Sequence, residues 1–321
     1  MGAVRDREAL GDCSHSTTQS LTSQNFAPFA SLFTFDGFPV RIGFRRRCFP
    51  FEHTPMPYPI TPAHWDSRFF GFPIGNIELP DEYAAEELEM TLREAHPKFR
   101  LLFVTAQGEG PDSLSLLGNR CPCYARKLYL KKDVPKNVEL FDTHIRAYTS
   151  TFCSPALERL AVQSGTMTQF RQDPELAPHF EQLFLTWINF AVTKELADSI
   201  WTWYENGKHL GLVTTRCAKQ VNPQTGQMEK EGRIGMLSVD AGHRRRSIGT
   251  NLTRACDYWC SSLGIPVSAL ATQRDNEPVI AMCENLGFRK DRETSVYHYW
   301  SPGWIYDVRR GWANAAQERR A

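Results

Sequence analysis

The sequence predicts an α/β protein with two folded units, and three observations carry this prediction. The chain has 321 residues, and at about 100–200 residues per domain this length corresponds to about two domains. Hydrophobic residues make up 41% and charged residues 23% of the chain, which is typical of a globular protein and excludes disorder over most of its length. Short apolar runs alternate with segments of helical periodicity, as in a sheet covered by helices.

The net charge limits the classes of partner. Lys and Arg total 37 and Asp and Glu total 36, so the formal charge is +1. This balance gives no bulk attraction to nucleic acid or to an anionic membrane surface, and no apolar run reaches the length of a membrane-spanning helix. We therefore expect a small-molecule or protein partner, with no nucleic acid and no membrane, and a homodimer is compatible with the sequence.

The cysteines predict no disulfide framework and no metal site. There are nine, an odd number scattered along the chain, whereas disulfide-rich proteins are short and pair their cysteines. Cys121 and Cys123 are separated by one residue, which does not match the spacing of zinc knuckles. Reduced thiols of this kind favour a cytoplasmic location.

Both ends of the chain differ from its body. Residues 1–55 are rich in Ser, Thr, Gln and Phe and lack the apolar segment of a signal peptide. We expect a poorly ordered extension there and a C-terminal tail over 303–321. A sharper hypothesis is that translation starts at Met56, because recognisable structure begins just after it.

The first unit is predicted over residues 56–134 as a small α/β domain. Its helix is the clearest element, because Ala84, Leu88 and Leu92 share one face and charges occupy the rest. The predicted elements are a strand over 76–79, a helix over 81–96, a strand over 101–105, a short helix over 112–117 and a strand over 125–130. Residues 135–139 are the expected linker.

The second unit is predicted over residues 140–302. Its longest apolar stripe starts near Pro178 and continues to Val192 with the spacing of a helix packed on a sheet. Asn206-Gly207 between two apolar runs predicts a β-hairpin, since both residue types tolerate positive φ. The predicted elements are a strand (144–149), a helix (155–163), the helix from 178, strands (199–204, 209–216 and 233–239), a helix (248–263), a strand (267–271), a helix (276–285) and two final sheet segments (287–288 and 296–300).

One segment of the second unit has the composition of a phosphate-binding turn. Residues 240–250 connect a strand to a helix and contain Arg244, Arg245, Arg246 and Gly249. A helix N-terminus presents unpaired N–H groups to an anion, and small residues let the backbone approach it. The pattern is neither a Walker A loop nor a dinucleotide fingerprint. The plainer alternative is a charged turn that enters an amphipathic helix.

A wider pattern resembles the Gcn5-related N-acetyltransferase (GNAT) family. Arg244-x-x-Ser-x-Gly249-Thr250 after a strand is similar to that family's Arg/Gln-x-x-Gly-x-Gly/Ala motif, with Ser247 in place of the first glycine. Asn276 to Phe288 is similar to its second motif, and the two lie in register. The resemblance covers about residues 144–300. It implies the GNAT fold, with a mixed central sheet, preceded here by the small α/β domain.

The resemblance also implies roles for individual residues. Acetyl-CoA would be the acetyl donor, with its pantetheine arm along Leu237, Ser238 and Val239 and its thioester end near Asn276. Its pyrophosphate would lie on the turn, formed by Arg244, Arg245, Arg246, Ser247, Ile248, Gly249 and Thr250. The family's usual tyrosine is missing, and Cys283 stands in its place. That thiol can be a buried small hydrophobe, a weak acid or an acyl carrier.

A more particular resemblance is to the family's acetyltransferases of dTDP-4-amino-4,6-dideoxygalactose, a nucleotide-linked amino sugar. It rests on residues 64–71, 170–171, 187–192 and 293–300. It implies that Tyr297 is the general acid that protonates the leaving thiolate, with Tyr299 on the same strand face as the alternative. An aromatic packed at a sheet surface is the plainer interpretation of Tyr297. Arg171 is a candidate contact to the nucleotide diphosphate, or a solvated loop arginine.

Three functions remain open at this point. The first is an acetyl-CoA-dependent N-acetyltransferase that acts by direct attack of a small-molecule amine, with the nucleotide-linked amino sugar as acceptor. The second is a protein or peptide N-acetyltransferase on the same fold. The third is a domain that binds acyl-CoA without turnover, which the missing tyrosine and Ser247 favour.

Overall fold

The computed structural model describes residues 57–140, 142–221 and 226–302, without the side chains of residues 220 and 221. The predicted extension over 1–55 and the tail over 303–321 lie outside these residues. The strands are β1 (Ile60–Pro62), β2 (Ile74–Glu78), β3 (Leu101–Gln107), β4 (Ser113–Leu116), β5 (Asn119–Asp133), β6 (Ile145–Ala147), β7 (Ser199–Glu205), β8 (Lys208–Val221), β9 (Met228–Val239), β10 (Val267–Gln273) and β11 (Arg289–Trp300). The helices are α1 (His64–Phe70), α2 (Ala85–Ala95), α3 (Pro155–Ser164), α4 (Gln169–Gln172), α5 (Phe180–Val192), α6 (Ile248–Ser262) and α7 (Glu277–Asn285).

Within the described residues, the strands form one mixed sheet of 11 strands, and this confirms the predicted α/β class with a mixed central sheet. The order is β1-β2-β3-β11-β5-β10-β9-β8-β7-β6, with β4 paired to β5 outside this path. The pairs β2–β3 and β9–β10 are parallel, and the other pairs are antiparallel. The short turn at Asn206-Gly207, with φ of 49° and 79°, makes β7 and β8 the predicted hairpin.

The two predicted units share this sheet. Strand β5 belongs to the first unit by sequence, yet it lies between β10 and β11 of the second. Leu130 of β5 is the register partner of Leu270 in β10, and Ala125 is that of Val296 in β11. The division at residues 135–139 therefore follows a loop of the chain without a break in the sheet.

Three local predictions differ from the structure. Residues 112–117, expected as a helix, contain β4, because the Ser-Leu-Ser-Leu alternation suits a strand and Leu117-Gly118 turns back into β5 with positive φ at both residues. β5 is 15 residues long, well beyond the predicted 125–130. The final region forms one strand, β11.

Helices cover both faces of the sheet. One face, called the α5 face, carries α1, α3, α4 and α5, and the other, called the α6 face, carries α2, α6 and α7. The apolar stripe of α5 is buried as predicted, and its members are Phe180, Leu183, Phe184, Trp187, Ile188, Ala191 and Val192. Ile248 and Leu252 anchor α6 in the same way on the opposite face.

Candidate active site

A cleft opens where two parallel strands separate. β9 and β10 pair only from Glu231 with Val267 to Ile234 with Leu270. Beyond this point β9 contains a bulge, since its register with β8 shifts between Ile234 and Leu237. The two strands diverge from the end of their pairing, and the edges of both become open to the cleft.

A side chain of β8 holds the bulge in place. The Thr214 hydroxyl accepts a hydrogen bond from the Met236 N–H at 2.9 Å, and Thr214 is buried. This bond satisfies a main-chain donor that the bulge removes from the ladder. The bulge is therefore a built feature of the strand.

The cleft reaches both faces of the sheet. On the α6 face it is bounded by Asn276 and Val279 of α7, and on the α5 face by Trp187 of α5. The residues that line it are Ser164, Thr168, Phe184, Trp187, Ala191, Leu196, Thr214, Thr215, Arg216, Arg233, Ile234, Gly235, Met236, Leu237, Leu270, Ala271, Thr272, Gln273, Asn276 and Val279. Leu237 and Asn276 are the predicted site residues in this set.

The N-terminus of α6 is open to an anion. No side chain caps it, and two residues of the preceding turn, Arg245 and Ser247, have φ of 61° and 58°. The glycine that the family motif has in place of Ser247 is explained by this backbone, because positive φ suits glycine better than other residues. Gly249 follows in the first helical turn, where a side chain would come within 3.2 Å of the Met282 sulfur.

The three arginines of the turn differ in what they contact. Arg246 donates to both carboxylate oxygens of Glu205 at 2.9 Å, and this hydrogen bond lowers the pKa of Glu205. Its charge is therefore partly neutralised before any ligand binds. Arg244 donates weakly to the Val239 carbonyl at 3.4 Å, and Arg245 is exposed.

The remaining residues of the predicted pyrophosphate turn and of β9 differ in how far they are buried. Ile248 is buried, so its backbone N–H rather than its side chain faces the turn. Thr250 is half-buried in the first turn of α6. Ser238 is buried, and Val239 packs partly against the core beneath α6.

Gln163, which the sequence interpretation missed, ties the end of β9 to α3. Its amide donates to the Val239 carbonyl at 2.6 Å and to the Ser238 hydroxyl at 3.1 Å. The contact joins a helix of the α5 face to the strand that enters the phosphate turn. No sequence pattern marks Gln163, because its partners lie 75 and 76 positions away.

The structure does not bring Tyr297 to the cleft. Its side chain is fully buried on the α6 face among residues of α2 and β3, and its hydroxyl donates to the Pro111 carbonyl at 2.9 Å. Burial raises the pKa of Tyr297 to about 12. This geometry corrects the prediction of a general acid, because a phenol held in the core with its proton engaged cannot reach a reacting atom in the cleft.

The alternative tyrosine is placed in the same way. Tyr299 is buried in the same cluster, its hydroxyl contacts the His96 ring, and burial raises its pKa to about 12. His298 lies on the opposite face, as expected, where it is buried against Asp173. Neither Tyr299 nor His298 lines the cleft.

Arg171 and Cys283, the two other candidates from the sequence, do not line the cleft. Arg171 lies exposed on α4 with its guanidinium 5.6 Å from the Phe180 ring centroid, and it does not line the cleft. Cys283 is fully buried in the core between α6 and α7, where desolvation raises its pKa to about 12. Of its three interpretations, the structure supports the buried small hydrophobe.

The α5 side of the cleft contains residues that the sequence interpretation did not single out. Among the described lining residues, the ionisable side chains are Arg216 and Arg233, and the other polar groups are hydroxyls and amides. No aspartate, glutamate, histidine or tyrosine is among these described lining residues.

The described residues contain neither a metal-binding cluster nor a helix that could span a membrane. Within 57–140, 142–221 and 226–302, no group of three or more His, Cys, Asp or Glu side chains is arranged to hold a metal ion. In the same part of the chain, none of the helices combines the length and the apolar character needed to span a bilayer.

The central part of the chain is similar to known acetyltransferases. Residues 163–288 match the model of the acetyltransferase (GNAT) family. The chain is 35% identical over 72 residues to N-alpha-acetyltransferase 30 of Homo sapiens and of Mus musculus, and the aligned part covers 22% of this chain and 20% of each relative. The chain thus spans about a fifth of the length of the curated relatives it matches.

Solved structures with a similar fold include a tandem GNAT protein from the clavulanic acid biosynthesis pathway, with a TM-score of 0.44 and 15% identity over 73% of this chain and 77% of that one. A putative GNAT acetyltransferase from Novosphingobium aromaticivorans has a TM-score of 0.39 and 17% identity over 62% of this chain and 73% of that one. The match over residues 163–288 spans β9, the turn that follows it, α6 and α7, and over this part the chain is similar to the acetyltransferase (GNAT) family.

Proposed function

We propose that this protein is an acetyl-CoA-dependent N-acetyltransferase that acetylates an acceptor amine by direct attack. One observation carries the proposal: a cleft passes between β9 and β10 from α7 on the α6 face to a chamber beside α5 on the other face. On the α6 face, α7 bounds the cleft and also lies against the start of α6, where a side chain at Gly249 would come within 3.2 Å of the Met282 sulfur. A donor and an acceptor can therefore enter from opposite faces and meet between the strands.

The residues present fit acetyl-CoA. The uncapped α6 N-terminus, with Arg244, Arg245 and the N–H groups of Ile248 to Thr250, would hold the pyrophosphate. The open edge of β9 at Leu237 would hold the pantetheine arm through main-chain hydrogen bonds. Asn276 is fixed at the start of α7 by donating from its amide to the Thr272 hydroxyl at 3.1 Å, so its carbonyl oxygen is available to the cleft.

The chemistry needs little from ionisable side chains. The bound donor supplies an activated acetyl group as a thioester. The attacking amine must be neutral, and its proton passes to water, because an arginine that stays protonated cannot accept it. The C–N bond forms as the C–S bond breaks, and the thiolate takes a proton from water. The chain contributes by holding the two reactants in line and by covering the reaction with Trp187 and Phe184.

A small-molecule acceptor, such as the nucleotide-linked amino sugar, is our first candidate because the α5 side of the cleft contains cationic and hydroxyl groups suited to a polar, anionic molecule. The second candidate is a protein N-terminus. It is favoured by the 35% identity over 72 residues to the N-alpha-acetyltransferases.

The direct test is acetyl transfer to a panel of amines. The purified protein is incubated with acetyl-CoA and with nucleotide-linked amino sugars, free amino sugars or peptides that have a free α-amino group, and acetylated acceptor is measured by mass. Ala271 lines the cleft on β10, whereas Ala281 is exposed on α7. We expect A271F to abolish transfer by filling the cleft and A281F to retain it. Binding of acetyl-CoA without transfer to any acceptor would instead support the non-catalytic domain.

A further inference from the structure

Two arginines on neighbouring strands form a group that the acetyl donor does not use. We propose that Arg216 and Arg233 bind a negatively charged group, a phosphate or a carboxylate, on the acceptor molecule. This inference rests on the proposed function and specifies its acceptor class. Its basis is the placement of the two side chains on the α5 side of the cleft.

The two arginines are direct neighbours across the β8–β9 pair. Arg216 is the register partner of Arg233, and both line the cleft. Like charges directly opposite each other destabilise an antiparallel pair. An anion bound between the two guanidinium groups would offset this repulsion and accept charge-assisted hydrogen bonds from both. The planar arrangement of N–H donors in arginine matches the geometry of phosphate and carboxylate.

The direction of the arginines separates this group from the donor's phosphate site. A side chain at Gly232 would run into the Cys260 sulfur, so position 232 faces α6. Successive residues of a strand point to opposite faces, and Arg233 therefore faces the α5 side. The phosphate turn lies at the start of α6 on the other face. An anion at Arg216 and Arg233 is thus a separate ligand group.

Both arginines also contact other groups of the protein. Arg216 donates to a neutral acceptor, the Glu195 carbonyl, at 3.0 Å. Arg233 donates to Glu231 at 2.7 Å, but that carboxylate also pairs with Lys131 at 3.1 Å. Lys131 in turn lies 3.4 Å from Asp291.

Glu231 remains ionised and so fixes Arg233 in place. Burial raises the pKa of this carboxyl, but the hydrogen bonds and charges of Arg233 and Lys131 outweigh burial and hold it below its usual range. Arg233 is therefore held in one geometry before ligand binds. A preorganised guanidinium loses less conformational entropy when an anion arrives.

The test compares acceptors that differ only in an anionic group. Glucosamine and glucosamine 6-phosphate form one pair, and a peptide with a neutral or an acidic second residue forms another, so that the two sources of the anion are distinguished. We expect kcat/KM of the anionic member to be about 10- to 100-fold higher, the range for charge-assisted hydrogen bonds. R216Q and R233Q should remove this preference, because they lower kcat/KM for the anionic member of each pair.

The matched control is R254Q. Arg254 is an exposed arginine of α6 on the opposite face, and its removal changes the net charge equally. R216K and R233K keep the charge but lose the fork, so we expect them to retain part of the preference. Equal kcat/KM for the two members of each pair, or a preference that survives R216Q and R233Q, would overturn the inference.

A second measurement keeps this inference separate from the proposed function. The protein is first saturated with coenzyme A, which fills the phosphate turn, and binding of inorganic phosphate is then measured by calorimetry. We expect phosphate to bind, and to bind at least about 10-fold more weakly to R216Q and R233Q than to R254Q. Equal binding to all three variants would contradict the anion site, even if no amine is acetylated. Phosphate binding without acetyl transfer would support the anion site and contradict only the proposed reaction.

Discussion

The two sides of the cleft are built in different ways. The α6 side comes from one continuous segment, since β9, the phosphate turn and the start of α6 all lie within residues 228–262. The α5 side is assembled from α3, α5, β8 and β9, which bring together Ser164, Trp187, Arg216 and Arg233. A local segment can be identified from its sequence pattern, whereas an assembled surface depends on the whole fold. The turn before α6 could therefore be singled out from the sequence, whereas the arginine pair of the α5 side could not.

The largest expected effect tests the α6 side alone. S247D places a carboxylate at the start of α6, where it caps the helix and occupies the position expected for the donor's phosphates. We expect the affinity for acetyl-CoA to fall about 10- to 100-fold, in line with about 2 kcal/mol for a charge at a helix N-terminus. Because the same carboxylate stabilises the helix, the melting temperature should not fall.

The control for S247D is S262D, which adds the same charge at the exposed C-terminal end of α6. That variant should bind acetyl-CoA like the wild type. Binding is measured by calorimetry and unfolding by thermal denaturation. Wild-type affinity in S247D would show that the α6 N-terminus is not the phosphate site.

The boundary between the two sides is tested at the bulge. T214V keeps the side-chain volume but removes the acceptor of the Met236 N–H, which then lies unpaired in a half-buried position. We expect the free energy of unfolding to fall by about 1–3 kcal/mol and KM for acetyl-CoA to rise as β9 loses its divergent path. T214S retains the hydroxyl and should restore both values, which are measured by denaturant unfolding and initial rates. A KM unchanged in T214V would mean that the bulge does not position the donor.

A smaller effect is expected at Tyr297, where sequence and structure disagree. Removal of a general acid lowers kcat by about 10²–10⁴-fold, which is the result that the sequence interpretation predicts for Y297F. The structure instead places the hydroxyl on the Pro111 carbonyl in the core. We expect Y297F to keep kcat within about two-fold and to lose about 0.5–1.5 kcal/mol of stability, the usual value of one hydrogen bond. A fall in kcat of the larger size would return Tyr297 to the active site.

The disagreement at Tyr297 has a topological cause. Sequence and structure both put Tyr297 on the last strand, but the strands beside β11 decide which residues its side chain contacts. β11 pairs with β3 and β5, so Tyr297 packs beside Val104 and Cys123 rather than at the divergence of β9 and β10. The insertion of β5 between β10 and β11 joins residues about 140–170 positions apart. Hydrophobic periodicity within one segment cannot reveal such a partner.

What the sequence does predict is local. The stripe of α5, the hairpin at Asn206-Gly207 and the turn before α6 each depend on residues within a few positions of one another, and all three are present. The prediction of a helix over residues 112–117 was wrong, because a segment of six residues can form either a short helix or a strand. Pairing with β5 decides between the two. Gln163 and the arginine pair were missed for the same reason as β5, since their roles arise from distant partners.

The smallest expected effect separates strain from function on the α6 side. Ser247 has φ of 58°, a conformation that costs a non-glycine residue about 1–2 kcal/mol, and glycine recovers part of this while losing more entropy on folding. We expect S247G to stabilise the protein by a few tenths to about 1 kcal/mol and to leave the affinity for acetyl-CoA unchanged, because the main-chain N–H groups of the turn are kept. S262G at the exposed end of the same helix should instead destabilise it by up to about 1 kcal/mol. If S247G weakens acetyl-CoA binding, the serine hydroxyl itself contacts the donor, and the departure from the family's glycine is functional rather than tolerated strain.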